Sequence, residues 1–105
     1  MFKAVIAGYS RSPFTPAKKG ELFNVKPDDL LSDVIKNLLS KSKVNPEDIE
    51  DVIIGCAFPE GEQGFNIGKI VTFLSGMNVK TAGMTVNRWC GSSMQAIHIL
   101  SLIHI

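Results

Sequence analysis

Apolar residues along the chain alternate between short continuous runs and stripes with helical spacing. The short runs predict three strands, at residues 2–7, 51–58 and 84–87. The stripes predict one helix over about 27–43, a second between Asn66 and Gly76, and a third from about Cys90 onward. The predicted order of elements is therefore βαβαβα.

The second strand is apolar at nearly every position, which is typical of a strand covered on both faces. Together with the element order, this indicates an α/β fold with a mainly parallel sheet covered by helices. Pro27 suits the first position of the first helix, Asn66 can cap the second, and Gly76 suits its C-terminal end. The third helix is apolar on nearly all sides and is expected to be buried. Residues 10–26 contain two prolines and a glycine and are expected to form a long loop.

Length and composition are those of one globular domain over residues 1–105, with 45% hydrophobic residues, 20% charged residues and a net charge of +1. This balance, without a basic stripe, argues against nucleic acid as a partner. The two cysteines and two histidines lack metal-site spacing, and no Gly-x-Gly-x-x-Gly motif indicates a dinucleotide. No apolar tract is long enough to span a bilayer and no secretory signal is visible, so we expect a cytoplasmic protein with free thiols.

The candidate chemistry lies in residues 84–96, where a short strand leads through Cys90 into small residues and an apolar helix. A thiol at a helix N-terminus meets the positive end of the helix dipole, which stabilises a thiolate able to carry an acyl group. Arg88 adds positive potential if its side chain turns toward the sulfur. A free cysteine is as readily a small buried hydrophobe, so these residues alone leave catalysis and packing as equal alternatives for Cys90. Cys56, inside the apolar second strand, is expected to be buried and inert.

Four segments carry a family signature: Ser-Arg-Ser-Pro-Phe at 10–14, Pro-Asp-Asp-Leu at 27–30, Asp-Val-Ile-Ile-Gly-Cys at 51–56, and Glu-Gln-Gly-Phe-Asn-Ile at 62–67 followed by 85–95. Over residues 2 to about 98 the chain resembles the N-terminal part of a thiolase, a Cys-dependent acyl-CoA C-acyltransferase. The Gln-Gly-Phe-Asn and Cys-Gly-Ser-Ser-Met-Gln motifs resemble degradative 3-ketoacyl-CoA thiolases of fatty acid oxidation more than biosynthetic acetoacetyl-CoA thiolases.

The resemblance implies a thiolase-like layered fold and a role for Cys90 as the nucleophile. The Cys90 thiolate would attack the 3-keto carbonyl of a 3-ketoacyl-CoA, release acetyl-CoA and hold the shortened acyl group as a thioester. Its backbone N–H would contribute to an oxyanion hole. Coenzyme A is then a co-substrate, and no resident cofactor or metal is expected. Family members form dimers or tetramers, so a homo-oligomer is expected for the whole enzyme. Phe65, Trp89 and Met94 are expected to serve packing more than an acyl path.

Departures from the family pattern change these expectations. Ser12 stands where the family has a threonine, and the tail at 99–105 differs from the alanine-rich helix expected there. Lys69 stands where many relatives have an arginine, two or three residues after Asn66. The family's catalytic histidine, its second acid/base cysteine and its glycine-rich C-terminal segment have no match in these 105 residues, and His98 and His104 fit neither motif. We therefore expect a truncated N-terminal domain that does not catalyse thiolysis alone.

Three alternatives remain from the sequence. The first is an acetoacetyl-CoA thiolase working in the biosynthetic direction. The second is a ketoacyl-synthase-like condensing enzyme, against which the Asn87-Arg88 pair before the cysteine argues. The third is a non-catalytic thiolase-like fragment in which Cys90 is a relic.

Overall fold

The computed structural model describes residues 3–103. Its helices and strands in chain order are α1 (Pro27–Ser42), β1 (Asp51–Gly55), α2 (Ile67–Leu74), β2 (Ala82–Val86) and α3 (Ser92–Ile103). Single 3-10 turns at Pro46–Asp48 and Gly61–Gln63 interrupt the connections. Strands β1 and β2 pair in parallel, with Ile53 opposite Met84. The α/β class and the parallel pairing are confirmed.

Helix α1 begins at the predicted residue, because the missing N–H of Pro27 has no partner to lose in a first turn. Asp28 and Asp29 lie at the positive end of the helix dipole, and Lys41 lies in the last turn. The buried hydroxyl of Ser32 donates to the Asp28 carbonyl at 2.6 Å. The helix ends at Ser42 because the next residue adopts the left-handed conformation that stops helices.

Glycines set how closely the helices approach the sheet. A Cβ on Gly83 would lie 2.6 Å from the carbonyl oxygen of Gly68, so α2 contacts β2 backbone to backbone. A Cβ on Gly55 would lie 2.3 Å from the backbone nitrogen of Ser93, so α3 rests on the end of β1. Since Gly55 pairs with Val86 and side chains alternate along a strand, Gly55 and Gly83 face opposite sides of the sheet. One helix therefore covers each face.

The first predicted strand, at residues 2–7, is wrong for the part that the structure describes. Residues 3–8 run as coil, and Val5 and Ile6 are 80% and 85% exposed. A strand requires hydrogen bonds to a neighbouring strand, and within residues 3–103 β1 pairs with β2 alone. The apolar run signals burial but does not specify the neighbour. Phe2 lies outside the described residues.

The apolar core lies between α2 and the sheet, where Ile67 and Val71 are buried. Helix α3 adds Ala96, which is 8% exposed. The prediction that α3 is buried on nearly all sides is wrong, because Met94 and Ile97 are 61% and 55% exposed. The sheet covers one side of this helix, and no described element covers its remaining apolar positions.

An open cavity of about 1120 Å³ separates the N-terminal segment from the body of the fold. Residues 4–12 form one wall, and apolar side chains of α1 and α3 form the others. The cavity exists because residues 3–8 do not close onto the sheet. Within residues 3–103, no helix has both the length and the apolar composition of a membrane-crossing segment.

Candidate active site

Cys90 lies on the turn that joins the carboxyl end of β2 to the first residue of α3, and it is exposed. The helix starts at Ser92, two residues later than predicted, so the thiol precedes the helix instead of belonging to it. In parallel α/β sheets, ligands bind beyond the carboxyl ends of the strands. The turn therefore presents the thiol at the edge of the sheet where such sites form.

A local hydrogen-bond network shapes this turn. Trp89 has a φ of 49°, in the left-handed region that residues with side chains rarely adopt. The side chain of Asn87 accepts the Trp89 N–H at 3.0 Å. The hydroxyl of Ser92 accepts the Arg88 N–H at 2.8 Å and donates to the Trp89 carbonyl at 2.6 Å. Two side chains thus satisfy the peptide groups that precede Cys90.

The backbone N–H of Cys90 itself has no acceptor among the hydrogen bonds within residues 3–103. Its neighbours are satisfied, since the Gly91 N–H donates to the Arg88 carbonyl at 3.0 Å and the Ser92 N–H to the Trp89 carbonyl at 3.2 Å. An unpaired amide at the positive end of a helix is a ready donor to an oxyanion. Within the described residues, the Cys90 N–H is thus an unpaired donor beside the thiol.

Arg88 places its charge along the start of α3. Its guanidinium donates from Nη1 to Oε1 of Gln95 at 2.7 Å. Arg88 precedes Cys90 by two residues, and Gln95 follows it by five. The direction of the Arg88 side chain, which the sequence leaves open, is therefore along the helix that follows the thiol.

Trp89, the residue before the thiol, is one of several exposed aromatic residues in this part of the chain. The rings of Phe58 and Trp89 meet edge to face, with centroids 5.9 Å apart, and they are 58% and 68% exposed. Phe65 is 97% exposed with a φ of 58°. Phe65, Trp89 and Met94 are not packed in the described core, because each has more than half of its surface exposed. Their expected packing at an interface stays a prediction.

Asn66 does not cap α2 with its side chain, contrary to prediction, because it adopts the left-handed conformation itself. Its amide instead donates to the Gly83 carbonyl at 3.0 Å and accepts the Thr85 hydroxyl at 2.9 Å. Oγ1 of Thr85 in turn accepts the Gly68 N–H at 3.1 Å. The side chain therefore ties the loop before α2 to the strand that leads to Cys90.

Cys56 is half-buried instead of buried, and it lines the large cavity at the carboxyl end of β1. Its N–H donates to the Val86 carbonyl at 3.0 Å, which extends the pairing of the two strands by one bond. The prediction of a fully buried thiol is wrong because the N-terminal segment leaves this edge open. Cys56 and Cys90 occupy different surroundings, since the cavity wall includes the first and not the second.

Sequence reasoning missed the role of Ser92. A serine at a helix start is a recognised cap signal, but the predicted start at Cys90 placed Ser92 inside the helix. Correct placement of the helix boundary would have drawn attention to its hydroxyl.

The chain is thus an α/β protein with parallel strands and an exposed cysteine on the turn between a strand and the following helix. A family model described as "Thiolase, N-terminal domain" matches residues 4–102 of this chain. The chain therefore belongs to the thiolase family.

Similar curated proteins carry the same family name. The chain is 42% identical over 97 residues to a 3-ketoacyl-CoA thiolase of Bacillus subtilis, which covers 92% of this chain and 25% of that protein. It is 43% identical over 99 residues to a 3-ketoacyl-CoA thiolase of Colwellia psychrerythraea, covering 93% of this chain and 26% of that protein. The chain thus spans about a quarter of the length of the curated relatives it matches.

Solved structures share the fold. An acetyl-CoA acetyltransferase from Syntrophomonas wolfei superposes with a TM-score of 0.85 at 24% identity, over 96% of this chain and 25% of that one. A thiolase from Ascaris suum, determined in complex with coenzyme A, superposes with a TM-score of 0.76 at 28% identity, over 84% of this chain and 23% of that one.

Proposed function

We propose that Cys90 is the nucleophile of a thiolase-type acyl transfer. The observation that carries the proposal is an exposed thiol at the start of α3, beside its own unpaired N–H, in a chain of the thiolase family. The sulfur and the amide of one residue can act on the same tetrahedral intermediate. The sulfur adds to the carbonyl carbon, and the N–H donates a hydrogen bond to the carbonyl oxygen.

The reaction proceeds in two balanced steps. The thiolate of Cys90 adds to the 3-keto carbon of a 3-ketoacyl-CoA, and the bond between C2 and C3 then breaks. Its electron pair leaves with acetyl-CoA as an enolate, which takes up one proton, and the shortened acyl group stays on sulfur. The thiolate of free coenzyme A next attacks that thioester, and Cys90 leaves again as a thiolate. Both acyl carriers are thioesters, so the second step is close to balanced in free energy.

The names of the relatives support the substrate class. Several curated relatives are called 3-ketoacyl-CoA thiolase, and one structural neighbour was determined with coenzyme A bound. We propose 3-ketoacyl-CoA and coenzyme A as the substrates, in the degradative direction of fatty acid β-oxidation. A homodimeric or homotetrameric whole enzyme and a cytoplasmic location remain predictions.

The proton chemistry requires groups beyond these residues. Within residues 3–103 the thiol of Cys90 forms no hydrogen bond with a histidine or a carboxylate. We therefore propose that the 105-residue chain does not turn over 3-ketoacyl-CoA alone, and that the remaining three-quarters of a thiolase supply the acid and base.

A chimera tests this function. The 97 aligned residues of this chain would replace their counterparts in the Bacillus subtilis thiolase, and thiolysis of acetoacetyl-CoA would be followed spectroscopically. We expect thiolysis by the chimera and none by the 105-residue chain. Cys90→Ala should lower the chimera's rate by about 1,000-fold or more, because the nucleophile is lost.

Cys56→Ala is the matched control, since it removes the other thiol at the edge of the same sheet. Its rate should stay within about threefold of the parent chimera, because the Cys56 thiol lines the large cavity and Cys90 does not. A Cys90→Ala chimera as active as the parent would rule out Cys90 as the nucleophile. Thiolysis by the isolated chain would rule out the need for outside groups.

A further inference from the structure

We propose that the side chains of Ser92 and Asn87 are positioning residues that hold the turn on which Cys90 meets its substrate. This inference rests on the proposed function of Cys90 and assigns a role to two residues that do not themselves react. It follows from the hydrogen bonds on either side of the thiol.

The two side chains bracket the thiol in the chain. Asn87 accepts the Trp89 N–H at 3.0 Å, and Ser92 bonds both the Arg88 N–H at 2.8 Å and the Trp89 carbonyl at 2.6 Å. The N–H groups of Arg88 and Trp89 and the carbonyl of Trp89 are thereby bonded, while the N–H of Cys90 has no acceptor within residues 3–103. The network selects which amide faces a substrate.

Ser92 is a fixed point because it is 3% exposed and α3 cannot shift easily where it begins. A Cβ on Gly55 would lie 2.4 Å from the carbonyl carbon of Ser92, so the helix start already rests on the backbone of β1. The Ser92 hydroxyl therefore ties the turn to a helix start that packs on the sheet. Its loss would free the turn without moving the helix.

The conformation of Trp89 explains why the turn needs this support. A bulky residue with a φ of 49° is disfavoured relative to the common regions of backbone conformation. Such conformations persist where surrounding contacts fix them. Hydrogen bonds to the N–H and to the carbonyl of Trp89 are those contacts, so their removal lets the turn relax and moves the thiol away from the helix start.

Alkylation of the 105-residue chain by iodoacetamide at neutral pH tests the proposal, with each thiol followed by peptide mass mapping. Ser92→Ala and Asn87→Ala should each slow labelling of Cys90 by about fivefold, because a relaxed turn moves the thiol away from the positive end of α3, which stabilises the attacking thiolate. Labelling of Cys56 should not change.

Two matched controls isolate the effect. Ser93→Ala removes a neighbouring exposed hydroxyl that forms no hydrogen bond within residues 3–103. Asn78→Ala removes the same kind of bond elsewhere, from the Lys80 N–H to the Asn78 side chain at 2.9 Å. Both controls should label Cys90 within about twofold of the parent chain.

The outcomes separate this inference from the proposed function. Fast labelling of Cys90 in the parent, unchanged in both Ser92→Ala and Asn87→Ala, overturns the positioning role alone. Parent labelling no faster than that of N-acetylcysteine overturns both the role and the activated nucleophile. If Ser92→Ala unfolds, which rapid labelling of Cys56 would reveal, the exposed Asn87→Ala variant decides the result.

Discussion

Gly55 allows the first turn of α3 to rest directly on the last residue of β1. A Cβ at this position would lie 2.3 Å from the backbone nitrogen of Ser93 and 2.5 Å from its Cα. These are backbone atoms, so no side-chain rotation can make room. The absence of one methyl group thus brings the helix that follows Cys90 to the carboxyl end of the sheet.

Gly55→Ala should lower the free energy of unfolding by about 2 kcal/mol or more, since overpacking against backbone forces a shift of the helix. Urea unfolding followed by circular dichroism measures this. Gly91→Ala is the control, because a Cβ there would lie 3.5 Å from the Arg88 carbonyl oxygen, an ordinary contact. Equal stability of Gly55→Ala and the parent chain would show that α3 does not rest on this glycine.

At the residue scale, the sequence singles out a candidate residue but not the backbone conformation around it. Cys90 stands out because a strand end, small residues and an apolar helix are all local signals. The φ of 49° at Trp89 has no such signal, because it follows from hydrogen bonds to Asn87 and Ser92 that only the folded turn brings together. The exposure of Cys56 likewise depends on a distant segment.

At the scale of elements, the loop between α2 and β2 is held by one lysine. The Nζ of Lys69 donates to the Val79 carbonyl at 3.1 Å and to the Thr81 carbonyl at 2.5 Å. The same ammonium lies 4.7 Å from the centroid of the Phe73 ring. A helix side chain therefore fixes the chain just before β2, the strand that leads to Cys90.

Lys69→Met should destabilise the fold by about 1–2 kcal/mol, because two carbonyls lose a charged donor and the ring loses its cation. Thermal unfolding measures the loss. Lys80→Met changes an exposed lysine of the same loop whose side chain forms no hydrogen bond within residues 3–103, and it should leave the midpoint unchanged. Equal midpoints for both variants would show that the lysine contacts do not hold this loop.

Elements with complete local signals were predicted to within a few residues. Helix α1 ends one residue before the predicted limit, and α2 stops before Gly76, whose φ is +75°. The strand at residues 2–7 failed because pairing depends on a neighbour that no local pattern names. Helix α3 is present as predicted, but its burial was overestimated, because burial also depends on neighbouring elements that no local pattern names.

At the scale of the whole molecule, the position of the exposed apolar residues is consistent with the share of its relatives' length that the chain spans. Exposed apolar residues concentrate on the N-terminal segment and on α3, which the parallel sheet covers on one side alone. The chain also spans about a quarter of the length of its curated relatives. The thiol of Cys90, its amide and the hydrogen bonds that support the turn all lie within one short segment of this chain. We therefore propose that this part of a thiolase supplies the nucleophile and that the remaining part supplies the groups that move protons.

The central claim is that Cys90 carries the acyl group. The most direct measurement supplies the chimera with acetoacetyl-CoA, withholds free coenzyme A, stops the reaction in acid and maps the acetylated peptide. We expect one acetyl thioester, on Cys90, and none in the Cys90→Ala chimera. An acetyl group on another residue, or turnover with Cys90 unmodified, would contradict the account.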